Sequence, residues 1–177
     1  AFARDGYHST SVADIVDGVG VGKGVFYWYF SSKEELFVEI LRTSQRDMRR
    51  RQQREIHGIE DPLERIDLGI RAAVHWLAEN NDLRRLIEFA RNEATFATAI
   101  QKGQKVLVED ARSHLEEALA QGRIPARDPE ALALAMLAVA NQLTHVYIAE
   151  RGEDPDMVAD LVADFCRGGL GLALDHS

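Results

Sequence analysis

Hydrophobic positions recur along the chain at three- and four-residue spacing, the period of a helix that buries one face. Val12, Ile15 and Val16 form one such stripe, and Leu36, Phe37, Ile40 and Leu41 a second. Leu63, Ile66, Ile70, Ala73 and Leu77 form a third. No segment reads convincingly as a strand. Start and stop signals agree with the stripes. Gly6 ends a first helix and Thr10 or Ser11 caps the second. Gly18 to Gly22 is a glycine-punctuated turn before a short helix from about 22 to 30. Ser32 and Glu35 have the spacing of a capping box at the start of a long helix. Asp61–Pro62, Asp128–Pro129 and Asp154–Pro155 each pair an N-cap aspartate with proline at the first helical position. Asn80–Asn81 interrupts, a short helix covers about 82–91, and a longer one runs from about 93 to Gly122. The pattern predicts an all-α chain of about nine helices.

Composition agrees with a packed chain. Hydrophobic residues make up 46% of the 177 and charged residues 28%, enough apolar surface to offset the entropy of ordering. The single cysteine, Cys166, excludes an internal disulfide and is expected as a small buried hydrophobe. The longest apolar run, Ala131–Ala140, is half of the ~20 residues a membrane-spanning helix needs, so no membrane segment and no membrane partner are expected. There is no signal-peptide pattern, and the location expected is cytoplasmic. The chain opens without Met, as if inside a helix already under way, which predicts residues upstream.

The net charge of −8 is unevenly distributed. Residues 1–33 hold three basic and three acidic residues, and 34–55 six arginines against five acids. Residues 56–177 hold 12 basic and 21 acidic residues. A neutral head therefore precedes an acidic body, which would repel DNA and could orient the head toward it.

Gly18, Gly20, Gly22 and Gly24 do not make a phosphate loop. That motif needs glycine five residues before its Gly–Lys pair and Ser or Thr after it, where this chain has Asp17 and Gly24. The alternative is a helix–turn–helix. At ~100° per residue, Phe26 and Phe30 fall on one side of the second helix, toward Val12, Ile15 and Val16. Gly24 and Trp28 point the other way, flanked by Val25 and Tyr27. Exposed aromatic side chains on so short a helix point to a partner, and a recognition helix in a major groove needs such a face.

Residues 1–42 closely resemble the DNA-binding head of the tetracycline-repressor (TetR) family. The matches include Phe2, Gly6–Tyr7, Thr10–Ser11, Ile15, Gly20, Lys23–Gly24, Phe26–Tyr27, Phe30 and Ser32–Lys33–Glu34. The resemblance implies a DNA-binding domain over 1–42 and a ligand-binding and dimerisation domain over 43–177, with a hinge near 57–60. It implies that Thr10 and Ser11 touch a phosphate, that Lys23, Gly24 and Val25 lie over base edges, and that Tyr27, Tyr29 and Lys33 reach phosphates. Trp28 belongs to the same surface. Two departures stand out: Gly22 where the family usually has Ser or Thr, and Val25 where it has Thr. Val25 suits a thymine methyl.

The resemblance also implies a homodimer through the last two helices, with Met136, Val139, Leu161, Val162 and Phe165 as expected interface residues. The run 131–140 is apolar on every side and is expected to be buried all round. Trp76, Phe89, Phe96, Asn141 and His145 are the candidate lining of a pocket for a small hydrophobic effector. His75, His114 and His145 fall on three helices without close spacing, so no metal site is expected. No nucleophile–base pair stands out, and neither catalysis nor a cofactor is expected. The function implied is a regulator, a repressor released from a palindromic double-stranded DNA operator by its effector. The alternative is an all-helical small-molecule or partner-binding protein without DNA-binding activity.

Overall fold

A computed structural model describes residues 1–172 of the chain; residues 173–177 of the expected body lie outside the described residues. Nine α-helices are present among them, and no strand: α1 (Phe2–Asp5), α2 (Val12–Val19), α3 (Lys23–Tyr29), α4 (Lys33–Glu55), α5 (Pro62–Glu79), α6 (Asn81–Arg91), α7 (Ala97–Ala120), α8 (Pro129–Leu143) and α9 (Pro155–Gly169). A 3-10 turn at Ala94–Phe96 precedes α7, and a π-helical segment, Thr144–Glu150, continues α8. They form two compact units, residues 1–46 with 81–102, and 47–80 with 103 onward. The boundary falls inside α4, which runs unbroken from Lys33 to Glu55, and not at the loop 57–60.

The first unit is built on aromatic packing. Phe37 of α4 has no exposed surface. It stacks on Phe96 at 4.4 Å and meets Phe2 and Tyr7 edge-on. Leu86 and Ala90 of α6 complete this core. The unit thus takes in a segment well beyond residue 42, because α6 and the 3-10 turn carry apolar side chains that complete its packing.

Its caps follow the sequence closely. Ser11 is the N-cap of α2 in a reciprocal box with Asp14. Gly20, at φ 72°, takes the left-handed conformation that ends α2 and that glycine adopts without strain. At α4, Ser32 Oγ accepts from the Glu35 N–H at 3.2 Å. The Glu35 carboxylate instead accepts from the backbone and hydroxyl of Ser31, at 2.6 Å each, so the expected box closes one residue early.

The second unit packs α5, α7, α8 and α9 around Val74, Leu115, Ala133, Val158 and Val162. Asp61, Asp128 and Asp154 each accept the N–H two residues on, as the three Asp–Pro starts predict. Cys166 is buried, and burial pushes its thiol up to about 11. The all-round burial expected of 131–140 does not occur within the protomer. Ala133, Met136 and Ala140 are buried, whereas Leu134 is exposed, because neighbouring helices cover only one side. With the π segment the helix reaches 22 residues, long and apolar enough to cross a membrane by length and composition alone. The sequence count, confined to an uninterrupted run, missed this.

Phe96→Ala removes a ring stacked at the centre of the first unit. It should destabilise the protein by about 3–5 kcal/mol, read as a lower midpoint in denaturant.

Candidate nucleic-acid interface

α2 and α3 pack on each other in the first unit, burying Val16 and Phe26. A seven-residue helix that buries Phe26 must turn its neighbours outward. Trp28 is 81% exposed, Tyr29 65%, Tyr27 57% and Val25 48%. Gly22, the N-cap of α3, and Lys23 and Gly24 at its start are exposed beside them. A Cβ added at Gly22 or Gly24 would meet nothing within 4 Å, so neither glycine is required by the protein's own packing. Ser11 is also exposed, its hydroxyl engaged with Asp14. The structure therefore brings together eight of the ten residues assigned to the DNA surface.

The other two are turned inward. Thr10 is 1% exposed and its hydroxyl donates to the Gly6 carbonyl at 2.6 Å. Lys33, expected at a phosphate, donates to the carbonyls of Tyr7 and Thr10 at 3.0 Å each. Its ammonium also lies 4.4 Å from the centre of the Tyr7 ring. Both residues tie down the loop between α1 and α2 by donating to its carbonyls. The Tyr7 hydroxyl donates to Glu34 at 2.7 Å. Burial, reinforced by that carboxylate, raises the tyrosine's pKa, and the hydroxyl in turn lowers that of Glu34.

The second unit holds a cavity of about 100 Å³. Met48, Ile56, Ile66, Ile70, Leu77, Leu107, Met136, Leu137 and Ala140 line most of it, with Gln52, Gln53, Arg65, Asp110, His114 and Asn141 as its polar part. Arg65 donates to Glu117 at 2.6 Å, while its Nε is buried without a partner. Burial, then the Arg65 charge, lowers the pKa of His114. Of the residues expected to line a pocket, Asn141 does so. Phe89 and Phe96 belong to the aromatic core of the first unit. Trp76 is buried in α5 away from the lining, and His145 pairs with Glu150 at 3.1 Å. Apolar spacing marked these residues as inward without saying which interior they enter.

Among the expected interface residues, Met136 and Val162 are sealed in the second unit's own core and Val139 is half-buried against it. Leu161 and Phe165 are exposed, the latter at 61%. At 100° per residue the apolar residues of α9 fall on two strips, with Val158, Val162 and Cys166 inward and Met157, Leu161 and Phe165 on the adjoining outward strip. Among the described residues no group of three or more His, Cys, Asp or Glu could hold a metal ion.

Residues 1–40 match the family described as bacterial regulatory proteins, tetR family. Residues 60–170 match the tetracyclin repressor-like C-terminal domain. The chain belongs to the tetR family. It is 26% identical over 139 residues to the HTH-type transcriptional regulator YhgD of Bacillus subtilis, covering 77% of this chain and 73% of that one. It is 49% identical over 41 residues to the HTH-type transcriptional repressor KstR2 of Mycobacterium tuberculosis, covering 23% and 20%. Its fold matches the fatty acid degradation regulator FadR of Bacillus halodurans at a TM-score of 0.87, with 17% identity over 97% of this chain and 91% of that one. This tetR-family chain is a DNA-binding transcriptional regulator and not an enzyme, which sets aside the alternative without DNA-binding activity. Regulators of the family are typically dimers with small-molecule effectors.

The two lysines should separate. Lys33→Ala should cost about 1–3 kcal/mol of stability by leaving carbonyls without a donor. Lys23→Ala should leave the melting temperature unchanged and weaken binding to duplex DNA. Thermal melts with fluorescence-anisotropy titrations check both; a Lys33→Ala protein of unchanged stability that loses DNA affinity would restore the phosphate role.

Proposed function

We propose that this chain is a homodimeric, cytoplasmic repressor that leaves its operator when a small hydrophobic molecule occupies the cavity of the second unit. The observation that carries the reading is the outward aromatic face of α3 in a tetR-family head. Val25, Tyr27, Trp28 and Tyr29 are all exposed, and a folded protein rarely exposes so many contiguous large apolar side chains without a partner. The family relationship makes that partner duplex DNA, and the relative named as a repressor favours repression.

Dimerisation is supported by the exposed strip of Leu134, Met157, Leu161 and Phe165 on α8 and α9. A second copy would cover it and bring two recognition helices to successive major grooves about one turn (~34 Å) apart. The effector class follows from the mainly aliphatic cavity lining, with Arg65, His114 and Asn141 able to offer one or two hydrogen bonds. The same α4 that gives Met48 and Gln52 to the cavity gives Phe37 and Leu41 to the head core. Displacing its C-terminal half therefore gives the effector a route to the DNA-binding state. A preference of a few kcal/mol for the non-binding state suffices.

A thermal-shift screen followed by DNA titration tests this reading. Apolar hits should raise the melting temperature, because they bind only the folded state, and should lower DNA affinity at least tenfold. Hits confined to small, highly charged metabolites would overturn it. Leu161→Asp and Phe165→Asp should leave the protomer folded but give a monomer in sedimentation; variants that stay dimeric place the interface elsewhere.

A further inference from the structure

We propose that α3 selects its operator by the C5-methyl group of thymine, with Val25 as the reading side chain; the proposal rests on the DNA-binding reading above. In a major groove, Arg and Lys hydrogen-bond guanine, Asn and Gln adenine, and Asp and Glu cytosine, while Ser and Thr serve either role. The sequence of α3, KGVFYWY, holds one of these types, Lys23. The rest of its outward surface is apolar or aromatic.

Val25 is half exposed one turn before Tyr29, and its β-branched side chain is stiff in a helix. The thymine methyl is the apolar group on the major-groove edges of the standard base pairs. Valine over any other edge would strip water from a polar group and return no hydrogen bond. Gly22 and Gly24 flank Lys23 with open space where a Cβ would stand, so the start of α3 can approach the bases closely. Tyr27 and Tyr29 carry their polar atoms at the tips of long rings, suited to the phosphates on either side.

Uracil is thymine without that methyl, with the same hydrogen-bonding edge, so it isolates the contact. Duplexes enriched by the full-length protein from a random library are remade with uracil at each thymine in turn. Binding of wild-type and Val25→Ala protein is then measured by anisotropy. Loss of one buried methyl should weaken wild-type binding about fourfold at one or two positions in each half-site. The Val25→Ala protein should bind the thymine duplex correspondingly less well and be indifferent to uracil at those positions. If wild type is indifferent to every uracil, or Val25→Ala keeps the same sensitivity, the inference is overturned while DNA binding stands. If no duplex is enriched, the regulator reading fails and takes the inference with it.

Discussion

A helix of seven residues makes two turns and can turn one side into a core, and in α3 that side holds Phe26. Three large aromatic side chains and a valine are left facing water on the same short element. Such a helix contributes little to its own stability, since isolated helices of this length are marginal in water. It packs on α2, and the loop that leads into α2 carries Tyr7. The Tyr7 ring packs on Phe37 and Phe96, its hydroxyl reaches Glu34, and Lys33 sits over its face. One side chain thus links α1, the start of α4 and the segment that folds back from residues 81–102.

The same arrangement limits the electrostatics of DNA binding. Lys33 donates to the head's own carbonyls, and Arg4 pairs with Asp5 at 2.8 Å. Much of the arginine run of α4 is answered by acids within the chain. Arg42 and Arg46 meet Glu39, Arg49 meets Asp110 and Arg51 meets Glu79. A head that is neutral by count therefore presents few cations to a phosphate backbone. Non-specific affinity scales with the phosphates neutralised, so this head gains little of it. The apolar reading face proposed for α3 would fit a protein whose charge is otherwise unfavourable for DNA.

The fold was legible where local chemistry decides it. The three Asp–Pro starts and the Gly6 stop depend on residues within a few positions of one another and occur as read; of the two caps offered for α2 it is Ser11 that serves, and α2 runs through Gly18 to Val19 before the turn. The outward face of α3 was legible for the same reason, since a wheel needs only seven consecutive residues. Long-range choices were not. Phe89 and Phe96 have the spacing of buried residues, but nothing in that spacing says that their partners are Phe37 and Tyr7. Lys33 and Thr10 look like phosphate ligands by position, and the carbonyls they serve lie up to 26 residues away. On α9, Leu161 and Val162 are neighbours in sequence and 100° apart on the helix, a difference that separates an exposed surface from a sealed core.

The cavity imposes a last constraint on how such a regulator responds. Pockets that hold drug-sized ligands measure roughly 300–1,000 Å³, and this one is about 100 Å³. An effector of the proposed class therefore has to push its lining apart. Met48 and Met136 can adapt, being long, unbranched and polarizable. Ile56, Ile66 and Ile70 are less able to, because branching at Cβ restricts their rotamers. Under the proposal the strain would pass to neighbouring helices, since close-packed interiors shift between discrete arrangements in preference to stretching. Of these helices, α4 is anchored at its other end by Phe37, the most tightly enclosed ring of the head. On the proposed reading, a cavity smaller than its ligand at rest would couple occupancy to movement of the helix that lines it.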